Sequence, residues 1–187
     1  TVVVLINGRP LSIPWIAENI PAIVEAWLPG EEAGHAVADV LFGDYNPGGK
    51  LPVSIPKKVG QQPVHYNRLK MSRSRKYICT DTEPLYPFGY GLSYTTFAFS
   101  DLELSAKELA PAQDLVVSCR LTNTGKWAGE EVVQLYIRDQ FASRARPVKE
   151  LKGFKRVYLE PGESKVVRFR LFSDQLALID VDGNLTV

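Results

Sequence analysis

The strongest constraint on this chain is a change of hydrophobic period part-way along it. Thr1 to Ile6 form an unbroken, largely β-branched apolar run, the pattern of a strand buried on both faces of a parallel sheet. From Phe97 onward the period is two. Phe97–Leu104, Leu115–Leu121, Val132–Ile137, Leu151–Leu159 and Val166–Leu171 alternate apolar and polar side chains, as half-buried strands do. Asn123-Thr-Gly125, Glu160-Pro-Gly162 and Asp182-Gly-Asn184 supply the turn residues. Short strands at this spacing predict an immunoglobulin or fibronectin type III-like β-sandwich. Residues 176–180 with 185–187 predict one more hairpin.

The first half reads differently. A second buried strand is predicted at Ala22–Trp27, a turn at Pro29-Gly30, and a helix over Glu31–Phe42 that stops at Gly43. Ala33, Val37, Val40 and Leu41 share its apolar face, and Glu31 and Glu32 fall in its first turn, where carboxylates favour the helix dipole. Asp44–Gly49 is dense in turn formers, and Leu51–Ile55 predicts a short edge strand, set between Pro52 and Pro56. Strand, helix and strand in this order predict an α/β layer. A two- or three-stranded parallel sheet cannot bury itself, so further strands are expected N-terminal to Thr1; the final hairpin would likewise leave an edge open. Both folds are therefore expected to be partial. The predicted organisation is a partial α/β sandwich domain over 1–56, a linker and seam over 57–96, and the β-sandwich over 97–187.

The 187 residues are 45% hydrophobic, enough for real cores, and 23% charged with a net +1. That balance offers no basic footprint for nucleic acid, and the six-residue apolar run is far short of the roughly 20 residues of a membrane span. Neither partner is expected. Cys79 and Cys119 lack metal-binding spacing, and Cys119, at an alternating strand position, reads as a small core residue rather than as half of a disulfide. His35 and His65 stand apart from other ligands and from any nucleophile, which argues against a metal centre or a Ser-His-Asp triad. The basic group Arg68, Lys70, Arg73, Arg75 and Lys76 reads as a solvated or interdomain surface.

Three blocks carry a family resemblance. Trp27–Gly34 with Ala38–Pro52, then Pro84–Phe97, then Thr122–Gly125, Val132–Tyr136, Arg146–Phe154 and Leu159–Glu163 resemble, in order and spacing, the C-terminal α/β sandwich and fibronectin type III-like domain of family 3 glycoside hydrolases. The resemblance implies a parent enzyme, β-glucosidase-like, that hydrolyses terminal non-reducing β-D-glucosyl or xylosyl residues with retention and without metal or cofactor. It places the nucleophilic aspartate in an N-terminal barrel and the acid/base glutamate upstream of Thr1. No catalytic or substrate-binding residue is thus assigned within 1–187. The implied partners are a β-linked oligosaccharide or glucoside and the barrel domain. Oligomeric state and sugar preference stay open, and a secreted or periplasmic location is favoured over a cytoplasmic one. A stand-alone carbohydrate-binding module and the small subunit of a split glycosidase are the alternatives.

Retaining glycosidases need two carboxyl groups about 5–5.5 Å apart. Glu31 and Glu32 are the paired carboxylates on a loop-to-helix corner, but adjacent helical positions point about 100° apart, so helix electrostatics accounts for them better. Asp39 and Asp44 read as helix-surface and turn residues. Tyr86, Phe88, Tyr90, Tyr94 and Phe97, interleaved with Gly89 and Gly91, suit a packed seam better than a sugar-stacking platform. Trp127 is expected to pack on a hairpin, and Trp15 and Trp27 in a core or domain contact.

Overall fold

A computed structural model describes residues 1–69, 80–110 and 113–186. These divide into two compact units, one made of 1–66 and 80–92, the other of 67–69 and 93–186.

In the first unit, β1 (Val2–Ile6) and β2 (Ala22–Trp27) pair in parallel, Val2 opposite Ala22 and Val4 opposite Val24. The connection contains a helix that periodicity did not predict, α1 (Pro14–Asn19), with proline in its first turn. Proline suits that place because its missing N–H would have had no partner there. The predicted helix is α2 (Ala33–Phe42), two residues shorter than expected: Glu32 is its N-cap, so Glu31 and Glu32 precede the first turn rather than occupy it. Gly43 ends it as expected, at φ 88, and its N–H reaches the Asp39 carbonyl at 3.0 Å. The two strands are less buried than their apolar run suggests, and no residue in either is fully buried. Among the described residues each has one neighbour, and a two-stranded sheet cannot enclose both of its faces.

Leu51–Ile55 is not a regular strand. It pairs with 85–90 through separate bonds, Leu51 N–H to Tyr90, Ile55 N–H to Tyr86 and Gly89 N–H to Leu51, each 2.8 Å. Proline at 52 withholds one of the donors that a continuous ladder needs.

The second unit is the β-sandwich. One sheet has the order β3-β4-β7, from β3 (Phe97–Leu104), β4 (Leu115–Asn123) and β7 (Ser164–Leu171); the other pairs β5 (Gly129–Ile137) with β6 (Glu150–Leu159). All these pairings are antiparallel. Leu121, Val133, Leu159, Val167 and Phe169 form the core, with Phe97, Cys119, Leu135 and Val157 packed around it. Cys119 is a free, half-buried thiol, pushed up in pKa by burial; Cys79 and the residues 70–76 of the basic group lie outside the described residues. At Gly153 the sheets come close, since a Cβ there would stand 2.9 Å from the Phe169 ring. A short helix, α3 (Ser173–Leu176), leads to the hairpin β8 (Leu178–Ile179) and β9 (Leu185–Thr186).

Asn123 holds the sandwich end together. It is fully buried, and its side-chain oxygen accepts from the Thr95 hydroxyl at 2.7 Å and the Gly125 N–H at 3.1 Å. Its amide donates to the carbonyls of Trp127 at 2.7 Å and Leu159 at 3.1 Å. One side chain thereby ties the approach to β3, the turn after β4 and the end of β6, with every polar atom satisfied.

Candidate functional site

Parallel strands bring the ends of β1 and β2 to one edge, the edge at which open α/β sheets bind ligands. The pairing slips there, Leu5 facing Glu25 but Ile6 facing Trp27. Trp27 has φ 53, a left-handed backbone that a bulky residue rarely takes. Two bonds hold it: its N–H donates to Glu25 Oε1 at 3.2 Å, and its carbonyl accepts from Asn7 N–H at 3.1 Å. Asn7 also donates from its amide to the Arg9 carbonyl at 2.9 Å, while its buried Oδ1 has no hydrogen-bond partner among the described residues.

Burial raises the Glu25 carboxyl above its ordinary pKa, against the pull of hydrogen bonds from Trp27 and Asn7. The other carboxyls with a clear displacement, at Asp81, Asp101, Glu163 and Asp180, are all held low by hydrogen bonds. Burial thus disfavours the charged form of Glu25, and the side chain spends an oxygen on the backbone two residues away. Its chemistry is positional.

The predicted pair Glu31 and Glu32 is not brought to a common target. Glu32 Oε2 lies 2.7 Å from His35 Nδ1, both side chains largely exposed, so His35 is not isolated as its sequence context suggested. His65 instead lines an open cleft of about 380 Å³ with Pro10, Ser54, Gln62 and Pro63. The Ser54 hydroxyl there accepts from Phe88 N–H at 3.1 Å. Beside this cleft Gln61, buried, accepts from the N–H groups of Lys57 and Lys58 at 2.7 and 3.0 Å and donates to the Asp81 carbonyl at 2.9 Å. Among the described residues no group of three or more His, Cys, Asp or Glu side chains is placed to hold a metal. No described helix is long and apolar enough to cross a membrane.

The aromatic block separates into two sets. Tyr86 and Tyr90 stack with ring centroids 5.2 Å apart, and Phe88 stacks on Tyr66 at 4.2 Å, all within the first unit. Phe97 packs on the sandwich core, and Tyr94 is exposed. Trp127 and Trp15 do not pack as expected; both are about two-thirds exposed, at 65% and 66%. Sequence reasoning missed Glu25, Asn7 and Gln61. The Asn123-Thr-Gly125 turn signal marked the place of the Asn123 network but not its reach.

Residues 1–94 match the glycosyl hydrolase family 3 C-terminal domain. The chain belongs to that family. Residues 131–187 match a fibronectin type III-like domain. Similar proteins include a β-xylosidase of Formosa agariphila, 54% identical over 97% of this chain and 25% of that protein. A periplasmic β-glucosidase of Salmonella typhimurium is 49% identical over 90% of this chain and 23% of that protein. Among solved structures, a β-glucosidase of Erythrobacter marinus superposes with a TM-score of 0.94 at 52% identity, covering 100% of this chain and 25% of the other. The Listeria innocua β-glucosidase in complex with glucose does so at 0.92 and 41% identity, covering 99% and 27%. This family 3 chain thus spans about a quarter of the length of the relatives it matches.

Proposed function

We propose that the chain serves as the C-terminal scaffold of a retaining β-glycosidase acting on terminal non-reducing β-D-glucosyl or xylosyl residues, with both catalytic carboxylates supplied by polypeptide outside residues 1–187. The observation that carries this reading is 54% identity to a β-xylosidase along 97% of the chain, which nevertheless corresponds to a quarter of that enzyme. The character of the carboxylates supports it. Among the described carboxyls Glu25 is the one with a raised pKa, and it is committed to the backbone of Trp27, whereas a retaining site needs a proton donor facing a second carboxylate across the glycosidic bond. In this reading the α/β part closes one side of a barrel active site, and the sandwich braces it.

Assay of purified residues 1–187 on aryl β-D-glucosides and β-D-xylosides tests the proposal. No turnover is expected from the chain alone, and turnover is expected when it replaces the matching quarter of a relative such as the Formosa β-xylosidase, all the rest of that enzyme being kept. Hydrolysis by the isolated chain would overturn the assignment of the carboxylates. An inactive but folded chimera would overturn the scaffold role.

A further inference from the structure

We propose that the bulge at Asp101 is an edge guard that keeps β3 from pairing with β3 of a second copy of this chain. β3 is the outer strand of its sheet, so among the described residues no strand lies on its other side. An open edge bearing apolar side chains recruits further strands. Phe99, Leu102 and Leu104 on this strand are 56%, 74% and 52% exposed, so β3 carries the hazard in full.

The register shows how the hazard is met. Ser100 faces Arg120 and Glu103 faces Ser118, so Asp101 and Leu102 together stand opposite Cys119. That extra residue breaks the even row of N–H and C=O groups an incoming strand would have to match. Asp101 takes φ 52, and its carboxylate accepts from Arg120 Nε at 2.7 Å and from the Ser100 hydroxyl at 3.2 Å. Period two would otherwise set residue 101 on the face of Phe97, which packs on the core. The bulge delivers the charge to Arg120, an exposed residue of the neighbouring strand, and leaves a kink in the middle of the edge.

Sedimentation velocity on residues 1–187, combined with amide exchange at β3, tests this. Deleting Asp101 seats Leu102 alone opposite Cys119 and restores an unbroken edge. The deletion variant is expected to gain mass with concentration beyond wild type, with the amides of residues 99–103 exchanging at least tenfold more slowly as it does so. Arg120→Ala, which releases the carboxylate at constant length, is expected to do the same to a smaller degree. Adding Leu102→Lys to the deletion is expected to reverse the effect. The proposal is overturned if the folded deletion variant sediments as wild type, or if it associates without slower exchange in β3. If the deletion variant does not fold, Arg120→Ala decides: wild-type sedimentation overturns the proposal, and association with protected β3 amides supports it.

Discussion

The Glu25 carboxylate accepts the backbone N–H of Trp27 at 3.2 Å and so holds the last residue of β2 at φ 53. A bulky side chain in the left-handed region costs on the order of 1–3 kcal/mol and persists only where its surroundings dictate it. Glu25→Ala removes the acceptor, and a loss of about 1 kcal/mol is expected in urea unfolding at neutral pH.

The same carboxyl makes a pH prediction. Its pKa is raised by burial, so the folded chain holds that proton more tightly than the unfolded chain does. The stabilisation this brings is present below the unfolded value of about 4.3 and is lost as pH rises through the folded one. Glu25→Gln keeps an acceptor oxygen and does not titrate. Relative to wild type it is expected to gain stability as pH rises from acid to neutral; a constant difference between the two unfolding curves across that range would refute the link.

Asn123→Ala is expected to cost about 3 kcal/mol or more. It leaves the Thr95 hydroxyl and the Leu159 carbonyl without that partner in a buried site, and the Gly125 N–H and Trp127 carbonyl without it in a part-buried one; each buried orphan costs about 1–3 kcal/mol before relaxation. Asn123→Asp keeps the shape but sets a carboxylate against two carbonyls, so it is expected to destabilise as well. Chemical denaturation midpoints would show both losses.

Two glycines should differ in a stated order. A Cβ on Gly125 would meet Thr95 Oγ1 at 2.2 Å and the Thr96 backbone nitrogen at 2.7 Å, while one on Gly153 would meet only the Phe169 ring, at 2.9 Å. Backbone yields less readily than a ring, so Gly125→Ala is expected to lower the melting temperature more than Gly153→Ala. The reverse order would mean that the core around Phe169 is the stiffer of the two.

Much of this architecture is legible in the sequence because burial writes a period. β2 is read to the residue, since Pro29-Gly30 must end it. β3 is also read to the residue, while the other sandwich strands are found but clipped: β5 begins at Gly129 rather than Val132, because Gly129, Glu130 and Glu131 still pair with Leu159, Tyr158 and Val157 although they break the apolar pattern. α1 escapes because six residues do not establish a helical period; Pro14 is its sole signal. Glu25 escapes for another reason. Within a run of strand residues nothing marks a carboxylate that turns back on its own chain, and the exposed faces of β1 and β2 depend on how many strands flank them, which no local pattern records.

The last hairpin offers a separate test, since its strands are two residues each and one side chain closes its turn. Asp180 Oδ1 accepts from Asp182 N–H at 2.9 Å and Asn184 N–H at 2.8 Å, and the hydrogen bond from Asn184 is the largest cause of its lowered pKa. A carboxyl lowered in the folded state stabilises above its unfolded pKa and loses that contribution as pH falls through the folded one. A hairpin this short is marginal without its clasp, so protonation of Asp180 should open the turn before the sandwich unfolds. The amide shifts of Asp182 and Asn184 are expected to titrate together with a midpoint below the ordinary aspartate value of about 3.9, and to lose that titration in Asp180→Asn. A midpoint at the ordinary value would show that the clasp does not hold in solution.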